Sequence, residues 1–256
     1  RGQRNASSFS TVLLVAGLVS GGTAELQARE PVPPRPERLR QVQAGELREA
    51  YADWWGFDPV DATASLQAAL DSGVPRLVVP NMGTPWIVHP IHLRSNQEIE
   101  FEEGVVVEAI RDGFPGPRDS LFNGLNISNV VLRGTNAVWR MHKRDYQDPD
   151  RYRRAEWRHT LNLRSCHNIQ AIGLALRSSG GDGVYVGSAH RPVNFCEDIV
   201  IRDCTIEDQH RQGISVISVK GLLIENCIIR DTAGTPPQAG IDFEPNARNQ
   251  WLRDIV

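Results

Sequence analysis

Three consecutive segments in the second half of the chain repeat one apolar pattern. They cover residues 169–186, 199–216 and 222–243, and their apolar positions match across offsets of 30 and then 23 residues. Within each segment the apolar residues alternate with period two, which is the spacing of a strand rather than of a helix. A copy of ~22–30 residues made of short strands and turns cannot bury its apolar side alone, so the copies must stack. The repeat therefore predicts a solenoid.

The repeat also selects the kind of solenoid. No copy contains the amphipathic stretch of about 11 residues that a helical solenoid requires. A propeller blade would need roughly 40–45 residues and four antiparallel strands. We therefore expect an all-β fold, a right-handed parallel β-helix. Looser strand patterns extend it upstream over 88–93, 99–101, 105–107, 130–132 and 160–163.

A short helix is predicted ahead of the strands. Residues 61–70 place Leu66, Ala69 and Leu70 on one helical face, and Gly73 follows the expected end of the helix. Such a capping helix would close the open end of the solenoid and hide its first strand edges. At the other end, residues 253–256 repeat the opening of a coil. We therefore expect that C-terminal coils are missing and that the sequence is a fragment.

The first fifty residues carry the features of an export signal followed by a spacer. Arg1 and Arg4 precede a short apolar stretch over 12–19, and small residues follow, which is the pattern of a secretory signal. Prolines among charged residues then indicate a linker. The predicted organisation is a signal peptide over 1–28, a linker over 29–50 and a parallel β-helix domain over 51–256 that is incomplete at its C-terminus. The predicted location is secreted, periplasmic or at the cell surface.

Charge and cysteine spacing narrow the class of partner. A net charge of −3 does not indicate a nucleic-acid binder, and no apolar run approaches the ~20 residues of a membrane span.

Cys166 with Cys196, and Cys204 with Cys227, occupy equivalent repeat positions. We expect them to stack in the core rather than to form disulfides, although the ~4.8 Å spacing of coils would permit a bridge. No zinc-type spacing is present, and no metal site is predicted.

The N-terminal part of the repeat region resembles a known protein superfamily. The segment from Asp61 to Val79-Pro80 looks like the entrance sequence of many pectin-lyase-like proteins, and the later coils resemble their parallel β-helix repeats. The resemblance covers residues 57–256. It implies the fold strongly, but the activity only broadly, because this fold hosts lyases, polygalacturonases, other glycosidases, epimerases and phage tailspikes.

One segment resembles a catalytic element of that superfamily. Gly181-Asp182-Gly183-Val184 is similar to the segment that carries a catalytic Asp in polygalacturonases. Those enzymes place a further Asp pair and then a Gly-His-Gly on the following coils, where this chain has 211–213 as Arg-Gln-Gly and 238–240 as Gln-Ala-Gly. The resemblance therefore implies a role for Asp182 without transferring the rest of that mechanism.

Strand alternation predicts which acidic side chains face outward. The expected outward column is Asn162, Tyr185, Ser215 and Asp242, with Arg164 and Glu244 two places further along their strands. Glycoside hydrolysis needs one protonated carboxylic acid and a second carboxylate. Asp182 and Asp242 are two coils apart, hence ~10 Å along the stack, close to the ~6.5–9.5 Å of inverting enzymes. The candidate catalytic residues are Asp182, Asp242 and Glu244.

Cations, rings and amides are expected around these acids. Glycines at 183, 213 and 240 would lower the floor beneath a flat sugar ring. An insertion over 139–159 is rich in Arg, Tyr and Trp, and loops that project from a regular scaffold commonly form binding walls. The candidate substrate-binding residues are Arg158, His159, Arg164, Tyr185, His210, Arg211 and Gln212.

These features favour a secreted glycoside hydrolase that cleaves a polysaccharide and uses no cofactor. A lyase or C5-epimerase on a uronate polymer is the second hypothesis, with Arg211, His210 or Arg158 against the substrate carboxylate and calcium as its cofactor. A non-catalytic glycan-binding or adhesin module is the third. The expected partner is a polysaccharide or oligosaccharide, and the sequence leaves the oligomeric state open.

Overall fold

The computed structural model describes residues 30–189 and 193–256; the predicted signal peptide over 1–28 lies outside the described residues. The helices are α1 (Pro36–Gln43), α2 (Thr63–Asp71) and α3 (Lys143–Tyr146), and a 3-10 turn covers Ala52–Trp55. The strands are β1 (Glu49–Tyr51), β2 (Arg76–Val79), β3 (Trp86–Val88), β4 (Ile91–His92), β5 (Gln97–Phe101), β6 (Val106–Ala109), β7 (Phe122–Leu125), β8 (Ser128–Arg140), β9 (Leu161–Arg164), β10 (His167–Arg177), β11 (Val184–Gly187), β12 (Cys196–Arg202), β13 (Thr205–Glu207), β14 (Ile214–Val216), β15 (Val219–Glu225), β16 (Ile228–Arg230), β17 (Ile241–Phe243) and β18 (Leu252–Ile255).

The strands form three parallel faces around one core. The first face runs β1-β2-β5-β8-β10-β12-β15-β18, and the second runs β3-β6-β8-β10-β13-β16. The third face runs β4-β7-β9-β11-β14-β17. The long strands β8 and β10 take part in two faces, and their register shifts between Ile172 and Leu174, where the chain turns the corner. Each circuit of the chain adds one strand to each face, which confirms the predicted parallel β-helix.

The repeated apolar positions stack into columns inside the coils. Ile169, Ile199 and Leu222 pair in register on neighbouring strands, and all three are buried. Each such side chain stabilises the fold by about 1.5–3 kcal/mol when it is fully buried. Nearer the N-terminus the core is aromatic. The Phe122 and Trp139 rings stack with centroids 4.0 Å apart.

Asparagines hold one corner of successive coils in register. Asn96, Asn129 and Asn168 have φ values of 63°, 57° and 52°, a left-handed conformation that Asn tolerates better than most residues. Their side-chain amides form a ladder, with N–H···O distances of 2.9 Å and 3.0 Å from coil to coil. The ladder fixes the relative height of the coils, and therefore also the alignment of the side chains on the third face.

The fold begins earlier than the sequence predicted. Part of the segment interpreted as a linker over 29–50 is folded, because it contains α1 with Val42 buried and the strand β1, which pairs with β2. Pro36 suggested a linker, but proline at the first position of a helix is favourable because its missing N–H would be unpaired there in any case. The predicted capping helix is confirmed as α2, with Leu66, Ala69 and Leu70 buried.

The four cysteines are free thiols, as expected for a core column. Cys166, Cys196 and Cys204 are buried and Cys227 is half-buried. Within the described residues, no helix is both long enough and apolar enough to cross a membrane.

Candidate functional site

The third face carries a continuous outward column of polar side chains. Asn123, Asn162, Tyr185, Ser215 and Asp242 pair in register on consecutive strands. This register confirms the predicted alignment of Asn162, Tyr185, Ser215 and Asp242. Glu244 follows the end of β17, and its backbone N–H donates to the Val216 carbonyl at 3.1 Å.

A cleft of about 340 Å³ lies on this face. Four of the predicted site residues line it: Arg164, Tyr185, Arg211 and Glu244. Of the lining residues that were not among the predicted site residues, Arg118, Glu156 and Trp157 carry a charge or an aromatic ring. The cleft therefore combines residues of the regular coils with residues of the loops that project from them.

Two arginines of the cleft lie over aromatic rings. The Arg118 guanidinium is 5.2 Å from the centre of the Trp157 ring, and the Arg164 guanidinium is 5.1 Å from the centre of the Tyr185 ring. Such contacts are worth about 0.5–1 kcal/mol at exposed sites. Over residues 30–189 and 193–256 neither guanidinium forms an ion pair with a carboxylate, and Arg164 Nε donates to the Asn162 amide oxygen at 3.1 Å. Both positive charges therefore remain available to a ligand.

Arg211 is shared between two glutamates. Its Nη2 atom lies 3.0 Å from Glu244 Oε2, and its Nε atom lies 3.5 Å from Glu156 Oε2. Both carboxylates line the cleft, whereas the Arg211 side chain is only 14% exposed. The two acids thus face one cavity across a single, nearly buried guanidinium.

Asp182 lies beneath the cleft rather than in its wall. Its side chain is fully buried, its Oδ1 atom accepts the Gln212 N–H at 3.1 Å, and its Oδ2 atom is 3.8 Å from Arg211 Nη1. Burial raises the pKa of Asp182 to about 7, against the opposing effect of Arg211. Because no part of this carboxyl is exposed, its place in the fold does not fit the predicted role of a carboxylate that contacts substrate.

His159 also lies under the cleft. Its ring is fully buried and stacks on Tyr185, with centroids 4.9 Å apart and an interplanar angle of 19°. Burial holds the pKa of His159 well below its usual value, and the nearby Arg164 and Arg211 guanidinium groups lower it further. Tyr185 therefore separates a neutral imidazole from the cleft, and His159 is not placed to bind substrate directly.

Two other predicted substrate-binding residues, Arg158 and Gln212, are buried and make their contacts within the protein. Arg158 is fully buried, and Gln212 is fully buried between coils, where its Nε2 atom donates to Asp242 Oδ2 at 2.7 Å. Both were predicted to be accessible because they precede strands of the third face, but the loops around them cover both side chains. The partners of Arg158 are the carbonyl oxygens of Phe114, Pro115 and Arg153 and the rings of Tyr146 and Tyr152.

His210 lies outside the main cleft. It lines a separate cavity of about 370 Å³ together with Tyr152 and Arg154. Its ring nitrogens are 2.9 Å from the Gln147 amide nitrogen and 2.9 Å from the Thr235 hydroxyl oxygen. The structure thus does not bring His210 together with Glu156 and Glu244.

The glycine column faces the core instead of forming a floor for a sugar. A Cβ atom added at Gly183 would lie 2.5 Å from a methyl group of Ile206 and 2.7 Å from the Gly213 carbonyl oxygen. A Cβ atom at Gly213 would collide with Ile229 and with the Gly240 carbonyl oxygen. These glycines allow adjacent coils and faces to pack closely, which corrects the prediction that they open the surface to substrate.

The missed residues lie where the repeat gives no information. Arg118 follows β6, and Glu156 and Trp157 lie in the insertion before β9, so none of them has an equivalent in the aligned coils. The high content of Arg, Tyr and Trp in that insertion was the only available signal. Over 30–189 and 193–256, no group of three or more His, Cys, Asp or Glu side chains is arranged to hold a metal ion.

The fold defines the chain as a right-handed parallel β-helix protein. A family model described as the right handed beta helix region matches residues 156–252. This is the fold that the resemblance in sequence to the pectin-lyase-like superfamily implied.

Three similar proteins are each considerably longer than this chain. The SPβ prophage-derived uncharacterized protein YorA of Bacillus subtilis strain 168 is 24% identical over 228 residues, which are 77% of this chain and 38% of YorA. An iota-carrageenase complexed to iota-carrageenan fragments superposes with a TM-score of 0.61 at 15% identity, over 81% of this chain and 47% of that one. The tailspike protein gp49 of the Acinetobacter baumannii bacteriophage Fri1, a capsular polysaccharide depolymerase, gives 0.55 at 13% identity, over 84% and 39%. This chain therefore spans less than half of each, and the two solved structures establish the fold alone.

Proposed function

We propose that the chain is a carbohydrate-active β-helix protein and that its cleft hydrolyses a glycosidic bond of a polysaccharide. The observation that carries the proposal is that Glu156 and Glu244 face one cleft and contact one guanidinium, that of Arg211. Two proteins of similar fold, the carrageenase and the tailspike depolymerase, have polysaccharide substrates according to their names, which supports this substrate class. The signal-like sequence over 1–28 supports export, so we expect the protein to act outside the cytoplasm.

The two glutamates would divide the chemistry between them. One donates a proton to the glycosidic oxygen of the leaving sugar, and the other either activates a water molecule or attacks the anomeric carbon. Glu244 Oε2 and Glu156 Oε2 lie 3.0 Å and 3.5 Å from nitrogen atoms of one guanidinium. The distance between these two oxygen atoms therefore cannot exceed the upper end of the ~6.5–9.5 Å range of inverting enzymes. The partly exposed ring of Trp157, at 38%, offers a surface on which a sugar can stack.

Asp242 is the alternative second carboxylate. It lies on β17, two positions before Glu244, and is half-buried, with its Oδ2 atom accepting from the Gln212 amide. Of the three acids predicted to be catalytic, Glu244 is therefore the one we retain at the centre of the site. Asp242 is retained as the alternative partner of Glu244, in place of Glu156.

Cleavage of a uronate polymer by β-elimination is the second candidate function. It is favoured by Arg118 and Arg164, whose charges have no carboxylate partner in the described chain and suit a substrate carboxylate. Calcium remains an expectation for this alternative only. An unsaturated product that absorbs in the ultraviolet would identify elimination, whereas hydrolysis releases reducing ends without that absorbance.

The test is replacement of the glutamates followed by incubation with neutral and anionic polysaccharides. Glu244→Gln and Glu156→Gln keep the size and polarity of the side chain but cannot exchange a proton. We expect each to lower the release of reducing ends by ~10²–10⁴-fold, the usual contribution of a general acid or base. The parallel Asp242→Asn variant decides whether Asp242 or Glu156 is the second carboxylate.

Glu225→Gln is the matched control. Glu225 pairs with Arg202 at 2.6 Å. Both residues lie on strands of the first face, whereas the cleft lies on the third face. An exposed ion pair contributes at most about 1 kcal/mol to stability, so this variant should retain full activity. Full activity of Glu244→Gln would contradict the proposal, and so would binding of wild-type protein to a glycan array without any turnover.

A further inference from the structure

A buried carboxyl and a buried imidazole meet beneath the floor of the cleft. Asp182 Oδ2 lies 3.2 Å from His159 Nδ1, and neither side chain is exposed to solvent. The backbone N–H of Asp182 donates to the same Nδ1 atom at 3.1 Å. Nδ1 therefore acts as an acceptor, and the proton of the neutral ring is on Nε2, which has no partner in the described chain.

This arrangement calls for a proton between the two side chains. An ionised Asp182 would place a carboxylate oxygen against the lone pair of Nδ1, which is an unfavourable contact of two acceptors. A protonated Asp182 instead donates from Oδ2 to Nδ1, whose lone pair it shares with the Asp182 N–H, and so satisfies an oxygen that otherwise has no hydrogen-bond partner. The imidazole is a poor alternative place for this proton, because burial, and then Arg164, Arg211 and Arg118, keep the pKa of His159 low.

Arg211 lies between this buried pair and the glutamates of the cleft. Its guanidinium is 3.8 Å from Asp182, 3.0 Å from Glu244 and 3.5 Å from Glu156. Only the contact with Glu244 is a hydrogen bond, and the Nε–H group has no hydrogen-bond partner. The guanidinium is therefore not locked to any one of the three carboxyl groups.

We propose that Asp182 is a positioning residue for Arg211. Its carboxyl gains or loses a proton beneath the cleft and thereby determines whether the Arg211 guanidinium lies closer to Asp182 or to the two glutamates. The inference rests on the proposed function where it concerns catalysis, since Glu156 and Glu244 are the carboxylates proposed above. Asp182 itself contacts no substrate.

The two protonation states of Asp182 have different consequences for the cleft. While Asp182 is neutral, Arg211 is held by Glu156 and Glu244 and its positive charge lies between their carboxylates. Once Asp182 is ionised, its charge acts in a poorly solvated site, where attraction is stronger than at the surface. Arg211 is then drawn toward the floor, and the two glutamates lose part of the positive charge between them.

The change falls at a pH that proteins commonly meet. Burial raises the pKa of Asp182 to about 7; Arg211, the Ser215 hydroxyl and the Gln212 N–H lower it, and Glu156 raises it further. The titratable and charged groups that face Asp182 within the described chain are His159 before β9, Tyr185 on β11, Arg211 before β14 and Glu156 in the insertion.

The test follows both groups by NMR through neutral pH, with carbon-13 in the carboxyl groups and nitrogen-15 in the arginine side chains. We expect the Asp182 carboxyl to titrate with a midpoint near 7 and the Arg211 guanidinium signals to shift in the same transition. In Asp182→Asn the amide still donates to His159 Nδ1 while the ionisation is removed, so the transition of Arg211 should disappear. If that variant does not fold, Arg211→Gln should raise the midpoint of Asp182, because the stabilising cation is gone.

Asp53→Asn is the matched control. Asp53 is also a buried aspartate with a pKa raised by burial, and it pairs with Arg35 at 2.6 Å, so its replacement should leave the Arg211 transition unchanged. A midpoint for Asp182 near the ordinary ~4 of a carboxyl, or Arg211 signals that do not follow it, would overturn the inference. These signals need no substrate, so a failure to find any hydrolysis would leave them interpretable. If turnover is found, the pH profile of kcat/KM should lose its inflection near neutrality in Asp182→Asn.

Discussion

Arg158 and Arg164 are close in sequence but have opposite surroundings. Arg158 is fully buried, without a carboxylate partner in the described chain, and is held by backbone carbonyls and two tyrosine rings. Arg164 lines the cleft and lies over Tyr185. A buried guanidinium must have its donors satisfied, and the planar fork of arginine satisfies several carbonyls at once in a way that lysine cannot.

We therefore expect Arg158→Lys to lower the free energy of unfolding by about 2–4 kcal/mol, because buried carbonyl groups lose their donors. The matched Arg164→Lys variant should change stability by no more than about 0.5 kcal/mol and should instead weaken the binding of an anionic ligand. Denaturant unfolding of the two variants measures the difference. Equal losses of stability would show that Arg158 is not a structural residue.

The sequence predicted which residues face outward but not which of them remain accessible. Period-two alternation correctly aligned Tyr185, Ser215 and Asp242, because strand register follows the apolar pattern. The burial of Asp182 could not be derived in the same way. It depends on Arg211 from the next coil folding over the carboxyl and on Tyr185 lying over His159. Both contacts are between side chains of different coils.

At the scale of the elements, the corners between faces limit which residue types a strand can carry there. The register shift between β8 and β10 lies at Gly173, whose φ is +71°. A Cβ atom there would collide with the Gly134 carbonyl oxygen of the neighbouring coil. The corner therefore requires glycine for two reasons, the backbone conformation and the close approach of the next coil.

Gly173→Ala separates these two reasons when it is compared with Gly73→Ala. Gly73, after α2, has a similar φ of +68° but nothing within 4 Å of an added Cβ. Gly73→Ala should cost about 1 kcal/mol for the conformation alone, and Gly173→Ala should cost at least about 1 kcal/mol more, because the collision must also be relieved. Thermal unfolding of both variants checks this. Equal costs would mean that the coils separate freely at this corner.

The sequence predicted the elements that repeat better than those that do not. The three aligned coils and the helix α2 were predicted because their patterns recur or are strongly periodic. Helix α1 and strand β1 were missed because they belong to no repeat and lie among prolines, which suggested a linker. The cleft residue Glu156 was missed as a site residue for the same reason, since the insertion has no counterpart on another coil.

For the whole molecule, stability is distributed along the stack because each coil is buried by the coils next to it. The third face illustrates this with two isoleucines in one column. Ile214 on β14 has strands on both sides and is fully buried, whereas Ile241 on β17 pairs with β14 only and is 38% exposed. The same side chain in the same register thus buries different amounts of apolar surface.

This difference predicts unequal costs for the same substitution. Ile214→Ala removes a fully enclosed side chain, so it should lower the free energy of unfolding by about 2–5 kcal/mol. In the chain of 256 residues, Ile241→Ala leaves no enclosed cavity and removes surface that is already partly in water, so its cost there should be about half as large or less. Urea unfolding of the two variants at equal protein concentration measures both. Equal costs would mean that Ile241 is covered in solution as completely as Ile214, and hence that its exposed side is occupied by another surface.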